Sequence, residues 1–160
     1  MYSTIPVKTS STDRYSITIG ENLMQEVSEF LSTYYSSEKL FMVVDEQVYK
    51  KHSSIIENSF GEGFEKITKY IVPSGENHKS MEQFSSIVDF ILQNGLERRT
   101  PLLAIGGGVV GDLSGFVAAS VLRGIPLIHI PTTLLAMVDS SIGGKTGINH
   151  SSGKNLIGAF

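Results

Sequence analysis

Cysteine is absent from the chain, which excludes disulfides and any thiolate-based metal site. Long apolar runs are absent too. No stretch approaches the roughly 18 residues that a bilayer-spanning helix needs, and the opening MYSTIPVKTS lacks the apolar core of a secretion signal. Charge of one sign is also scarce: 13 Lys and Arg against 16 Asp and Glu leave a formal net charge of -3, with no long run of either sign. That argues against nucleic acid or an anionic membrane as a partner. Histidine is sparse, at positions 52, 78, 129 and 150, and no two lie three or four residues apart. A metal site complete within this chain is therefore not expected, although one imidazole or carboxylate could serve a site assembled elsewhere. What remains is the expectation of a soluble, cytoplasmic, globular protein. With 160 residues, 41% of them hydrophobic, one domain spanning 1–160 is expected, long enough to bury roughly 70% of the surface its unfolded chain would expose.

Segments alternate in type along the chain. Ile5 to Thr9 and Tyr15 to Ile19 read as short strands. Leu23, Val27, Phe30, Leu31 and Tyr34 then recur at helical spacing. KLFMVVD, ending at Asp45, is a buried strand by its continuous apolar run, and Val48, Ile55, Ile56 and Phe60 mark a second helix. Phe64 to Val72 is a further strand. Ser80 with Gln83 three residues on predicts a capping box, Met81 to Leu92 carries a clear apolar face, and Gly95 sits where a C-terminal cap belongs. Leu102 to Ile105 and Pro126 to Ile130 are strands flanking a helix from about Gly111. Strands alternating with helices predict an α/β, Rossmann-like, mostly parallel sheet flanked by helices, with ligands beyond the carboxyl ends of its strands.

Glycine is unevenly spread, five before residue 100 and eleven after it. GGGVVGD (Gly106 to Asp112) fits G-x-G-x-x-G between a strand and a helix, where backbone amides and the helix dipole can meet a diphosphate. The alternative is a tight strand-to-helix turn. The acid that usually follows about 20 residues downstream is missing. Asp45 offers a substitute at the end of an earlier strand, either as a ribose ligand or as a helix cap. PSGENHK (Pro73 to Lys79) places Glu76 and Lys79 after a strand; it reads as a ligand loop or as a solvated turn with an exposed ion pair. Thr132 and Thr133 follow a strand, as ligands or as an N-cap. His129 reads as a core histidine and His78 as exposed. From Asp139 the chain runs DSSIGGKTGINHSSGKNLIGAF, either a mobile glycine-rich tail or a glycine-rich active-site loop; the placement of Lys145, Lys154 and Asn155 favours the loop. GGKT is not a phosphate-binding loop of the nucleotide hydrolases, because position 139 is Asp where that motif needs Gly.

Together these segments resemble the 3-dehydroquinate synthase family. The resemblance runs from about Asp45 to the last residue and is densest from GGGVVGD through GKNLIGAF, with PSGENHK matching a G-E-x-x-K element. It implies conversion of 3-deoxy-arabino-heptulosonate 7-phosphate to 3-dehydroquinate plus phosphate in the shikimate pathway. There, transient oxidation by NAD permits phosphate elimination, and re-reduction and an aldol closure follow. It further implies that Asp45, Glu76, Lys79, Gly107, Gly108, Asp112, Thr132, Thr133 and Lys154 contact NAD, and that Arg123, Asp139, Lys145 and Asn155 contact substrate, with Arg123 reaching a neighbouring subunit of a homodimer. Gln47 stands where relatives often have Asn. The family's metal ligands, for zinc or cobalt, belong to a helical C-terminal domain that this chain does not include, so the resemblance implies an inactive half. Other readings are a related sugar-phosphate cyclase, a glycerol-dehydrogenase-like metal-dependent alcohol dehydrogenase, and a non-enzymatic nucleotide-binding module.

Overall fold

The computed structural model describes residues 2–8, 14–35, 38–60 and 64–160. Its centre is a four-stranded parallel sheet built from β3 (Lys39–Asp45), β4 (Lys66–Val72), β5 (Leu102–Gly106) and β6 (Leu127–Pro131), in the order β4-β3-β5-β6. Side chains alternate across these strands. Phe41 and Val43 of β3, with Leu102 and Ala104 of β5, bury against α3 (Met81–Gln93) and α4 (Gly108–Ser120). Leu40, Met42 and Val44, with Leu103 and Ile105, bury on the opposite face with Leu31 of α1 (Met24–Tyr34) and Ile56 of α2 (Glu46–Asn58). Burial on both faces explains why β3 and β5 read as unbroken apolar runs.

Helix ends follow local chemistry. Asp45 caps α2, its Oδ1 accepting from the amides of Gln47 at 2.8 Å and Val48 at 3.2 Å. Ser80 caps α3 by accepting from the Gln83 amide at 3.3 Å. The reciprocal half of the expected capping box does not form, because the Gln83 carboxamide donates instead to the Tyr70 hydroxyl at 2.6 Å. At the other end Gly95, at φ 78°, donates to Leu92 while Leu96 donates to Ile91, the paired bonds of a Schellman turn. α4 begins at Gly108, three residues before the expected start, since the Gly111 amide already bonds the Gly107 carbonyl.

Two antiparallel pairs flank this core. β1 (Tyr2–Lys8) pairs with β2 (Arg14–Gly20), so the first strand starts earlier than its apolar pattern suggested; Thr9 lies outside the described residues. The second pair revises the expectation of a continuous loop after Asp139. Residues 146–159 form a hairpin, β7 (Thr146–His150) with β8 (Gly153–Ala159), packed on α4. Its glycines serve close approach. A Cβ on Gly147 would lie 2.6 Å from the Ile157 carbonyl oxygen, and one on Gly158 would lie 2.0 Å from that of Thr146. The predicted face of α1 is also only partly used: Leu31 is fully buried, whereas Phe30 and Tyr34 stand exposed and stack on each other.

Gly115 sets how closely the hairpin sits on α4, because a Cβ there would lie 2.2 Å from Cγ2 of Thr146. Gly115→Val is expected to lower unfolding stability by about 1–3 kcal/mol, as overpacking does, in urea denaturation followed by circular dichroism. Ala119→Val, on an exposed position of the same helix, is expected to cost about 0.5 kcal/mol or less.

Candidate functional site

β3 leads through α2 to β4 on one side, and the chain then crosses to β5 on the other. The sheet order therefore reverses between β3 and β5, which opens a crevice at their carboxyl ends. Asp45 closes β3 and Gly106 closes β5, so the acid and the glycine turn face each other although about 60 residues separate them. A Cβ on Gly106 would stand 3.2 Å from that of Asp45 and 2.8 Å from that of Val110, so only glycine fits the crossing. Gly107 precedes α4 in extended conformation, and a Cβ there would meet Thr133 at 3.2 Å. The bare backbone and the free amides of the first turn of α4 can receive an anionic group. Asp45 is both helix cap and candidate ligand. Its Oδ1 takes the two cap amides and the Ser74 hydroxyl at 2.8 Å, while Oδ2 meets only that hydroxyl, at 3.0 Å, among the described residues.

The loop after β4 is solvated at Pro73 and at residues 75–77, but its last residue is buried. Lys79 is 4% exposed. Its ammonium donates to Asp112 Oδ2 on α4 and to Asn155 Oδ1 on β8. Its carbonyl accepts from the Asn149 amide at 2.8 Å. Glu76, in the 3₁₀ turn Glu76–His78, accepts from the Asn149 carboxamide at 2.9 Å and lies 3.8 Å from the Lys154 ammonium. The Asn155 amide donates back to Asn149 Oδ1 at 3.0 Å. The structure thus gathers Glu76, Lys79, Asp112, Lys154 and Asn155 into one cluster beside the crevice. His78, expected to be exposed, is half-buried.

Thr132 is exposed and donates its amide to the Gly106 carbonyl at 2.9 Å. Thr133 accepts from the Ala136 amide at 3.2 Å, the cap anticipated for this pair. The π-helical turn Ala136–Ser140 carries Asp139, which lies 3.9 Å from Lys145 with both side chains exposed. Arg123 is not brought to this site. α4 runs from the carboxyl to the amino ends of the strands, and its 13 residues span about 20 Å. Arg123 follows it, at the far end, where Leu122 (φ 50°) and Arg123 (φ 65°) hold left-handed conformations. The resemblance already implies that Arg123 reaches a neighbouring subunit; the length of α4 is what sets it apart from the other substrate-contacting candidates within this chain.

Asn149, in this cluster, and Ser74, on the Asp45 carboxylate, are additional polar residues of the site region. Both lie inside the quoted runs, which did not single either out as a ligand. Among the described residues no three His, Asp or Glu gather as a metal site needs, and no helix is long and apolar enough to cross a membrane.

Crevice, glycine turn and buried cluster define a Rossmann-like α/β domain whose site lies at the topological switch point. The family model "3-dehydroquinate synthase N-terminal" matches residues 69–160. A 3-dehydroquinate synthase from Crocosphaera subtropica is 44% identical over all 160 residues, which span 44% of its length. Among solved structures, a 2-deoxy-scyllo-inosose synthase complexed with carbaglucose-6-phosphate, NAD+ and Co2+ superposes with a TM-score of 0.89 at 28% identity, over 99% of this chain and 42% of that one. A 2-epi-5-epi-valiolone synthase from Streptomyces hygroscopicus, with NAD+ and Zn2+ bound, gives 0.79 at 29% identity, over 96% of this chain and 42% of that one. The chain belongs to the 3-dehydroquinate synthase family, as its N-terminal domain.

His129, on β6, has its ring beside Gly111, where an added Cβ would stand 3.4 Å from Nδ1. Burial pushes its pKa below the ordinary 6.5, against an opposing pull from Asp112. The neutral ring is thus favoured in the fold, and the unfolded chain binds the proton more readily. The stability this contributes is present above pH 6.5 and is lost as pH falls through the lowered folded value. His129→Gln is expected to flatten that part of the stability-against-pH curve, read from thermal unfolding between pH 7.5 and 5.

Proposed function

We propose that this domain is the NAD-binding half of a 3-dehydroquinate synthase. It would act with a second, helical domain that carries a divalent metal, zinc or cobalt, and closes over 3-deoxy-arabino-heptulosonate 7-phosphate. The observation that carries this reading is the meeting of Asp45 with the Gly106–Gly108 turn across the switch point, beside the buried Lys79 cluster. Higher identity to 3-dehydroquinate synthases than to the cyclases of other products favours this substrate.

NAD, when bound, supplies a hydride acceptor that is regenerated within the cycle. Asp45 accepts from ribose hydroxyls through Oδ2. Gly107, Gly108 and the first amides of α4 face the diphosphate. Thr132 and Thr133 border the same crevice. Glu76 accepts from hydroxyls, with Lys154 beside it. Lys79 and Asp112 act as a neutralised pair that shapes the pocket floor, since each is committed to the other. Asp139 and Lys145, on the exposed rim, and Asn155 hold substrate hydroxyl and phosphate oxygens. Arg123 lies too far away to serve its own site, so in this reading it serves the site of a second copy in a homodimer. The metal is assigned to the second domain, and the domain alone is inactive. The enzyme is placed in the cytoplasm.

Titration of NAD into the domain by calorimetry is expected to show binding that Asp45→Ala weakens about tenfold, the loss of a charge-assisted contact. Asp45→Asn retains an acceptor for the α2 cap and separates the ligand role from the capping role; it is expected to weaken NAD while preserving thermal stability. Absence of NAD binding, alone and with the second domain supplied, would contradict the proposal.

A further inference from the structure

The β7–β8 hairpin has one irregularity. Ile148 pairs with Ile157 and His150 with Gly153, so the single residue Asn149 stands opposite the three residues 154–156. Extra residues of this kind re-aim side chains and gather beside functional sites. Here the displaced residues are Lys154 and Asn155, and Asn155 holds a left-handed φ of 56°. Asn149 spans the gap. Its Oδ1 accepts from the Asn155 amide at 3.0 Å, its Nδ2 donates to Glu76 Oε1 at 2.9 Å, and its own amide donates to the Lys79 carbonyl at 2.8 Å. These bonds join the loop after β4 to the hairpin, which is about 70 residues later in the chain.

We infer that Asn149 is a positioning residue: it fixes the Glu76 carboxylate for the cofactor and sets the bulge that presents Lys154 and Asn155. This rests on the NAD-binding reading above. The role requires a side chain that donates on one side and accepts on the other at the same carbon. A carboxamide does this and a carboxylate does not. Glutamine has the same groups but an extra methylene, so it would push the bulge away from Glu76.

The bond polarity supplies the test. Asn149→Asp keeps the acceptor for the Asn155 amide but sets a carboxylate against Glu76. Glu76→Gln then restores a donor facing it. NAD affinity is measured by calorimetry on four proteins under conditions where the unaltered protein binds NAD: unaltered, Asn149→Asp, Glu76→Gln, and both together. Asn149→Asp is expected to weaken NAD about tenfold with Glu76 present, and less than about twofold when Glu76→Gln is already in place, a coupling that a general structural defect would not produce. Should Asn149→Asp fail to fold, Asn149→Ser gives the same contrast: a loss of affinity with Glu76 present, and no loss beyond that of Glu76→Gln when the two are combined. Equal losses in both backgrounds, or no loss in either, overturn the role of Asn149 while leaving the NAD reading intact. An unaltered protein that binds no NAD even with the second domain supplied overturns the reading, and the inference with it.

Discussion

A lysine ammonium removed from water must be offset by opposite charge and hydrogen bonds, or it will not stay buried. Lys79 meets that demand by drawing on three separate parts of the chain. Asp112 comes from the second turn of α4, Asn155 from β8, and Lys79 itself from the turn before α3. None of these elements packs the ion pair alone. The requirement to satisfy one buried cation thus fixes how the hairpin seats against the helix, and with it the positions of Glu76 and Lys154. The hairpin's glycines and Gly115 remove the side chains that would otherwise hold the parts apart.

The sheet supplies the second constraint. Because the strand order reverses between β3 and β5, Asp45 and the glycine turn share one crevice, although they belong to different β-strand and helix units. The acid therefore precedes the glycine turn in sequence, the reverse of the order in a single-unit dinucleotide site. Burial on both faces of β3 and β5 anchors these strands in the core. A site of this kind, with an open crevice and exposed Asp139 and Lys145 at its rim, fits the proposal of a second domain completing it.

Much of this was legible in the sequence where the signal is local. KLFMVVD maps onto β3, and Ser80 and Gly95 mark the two ends of α3. G-x-G-x-x-G sits between strand and helix, as its mechanism requires. What sequence missed depends on long-range packing. PSGENHK is polar and resembles a solvated turn, because the burial of Lys79 comes from a hairpin some 70 residues further on. The glycines after residue 140 suggested a loop, when Gly147 and Gly158 instead let two strands approach. The resemblance set Arg123 apart as reaching a neighbouring subunit, but motif spacing did not show that the length of α4 carries it to the other end of the sheet. Asn149 lay inside the quoted glycine-rich run without a signature of its own, since a hairpin irregularity is a property of pairing and not of composition.

The dependence of the site on the buried lysine is tested most directly by amide hydrogen exchange in Lys79→Met compared with the unaltered domain. Methionine fills a similar volume without charge, leaving Asp112 without its partner. The account predicts that amides of 146–159 and of 76–80 lose protection while those of β3 and β5 keep theirs. Unchanged protection throughout the hairpin would contradict it, and would mean that apolar packing on α4 alone holds these parts together.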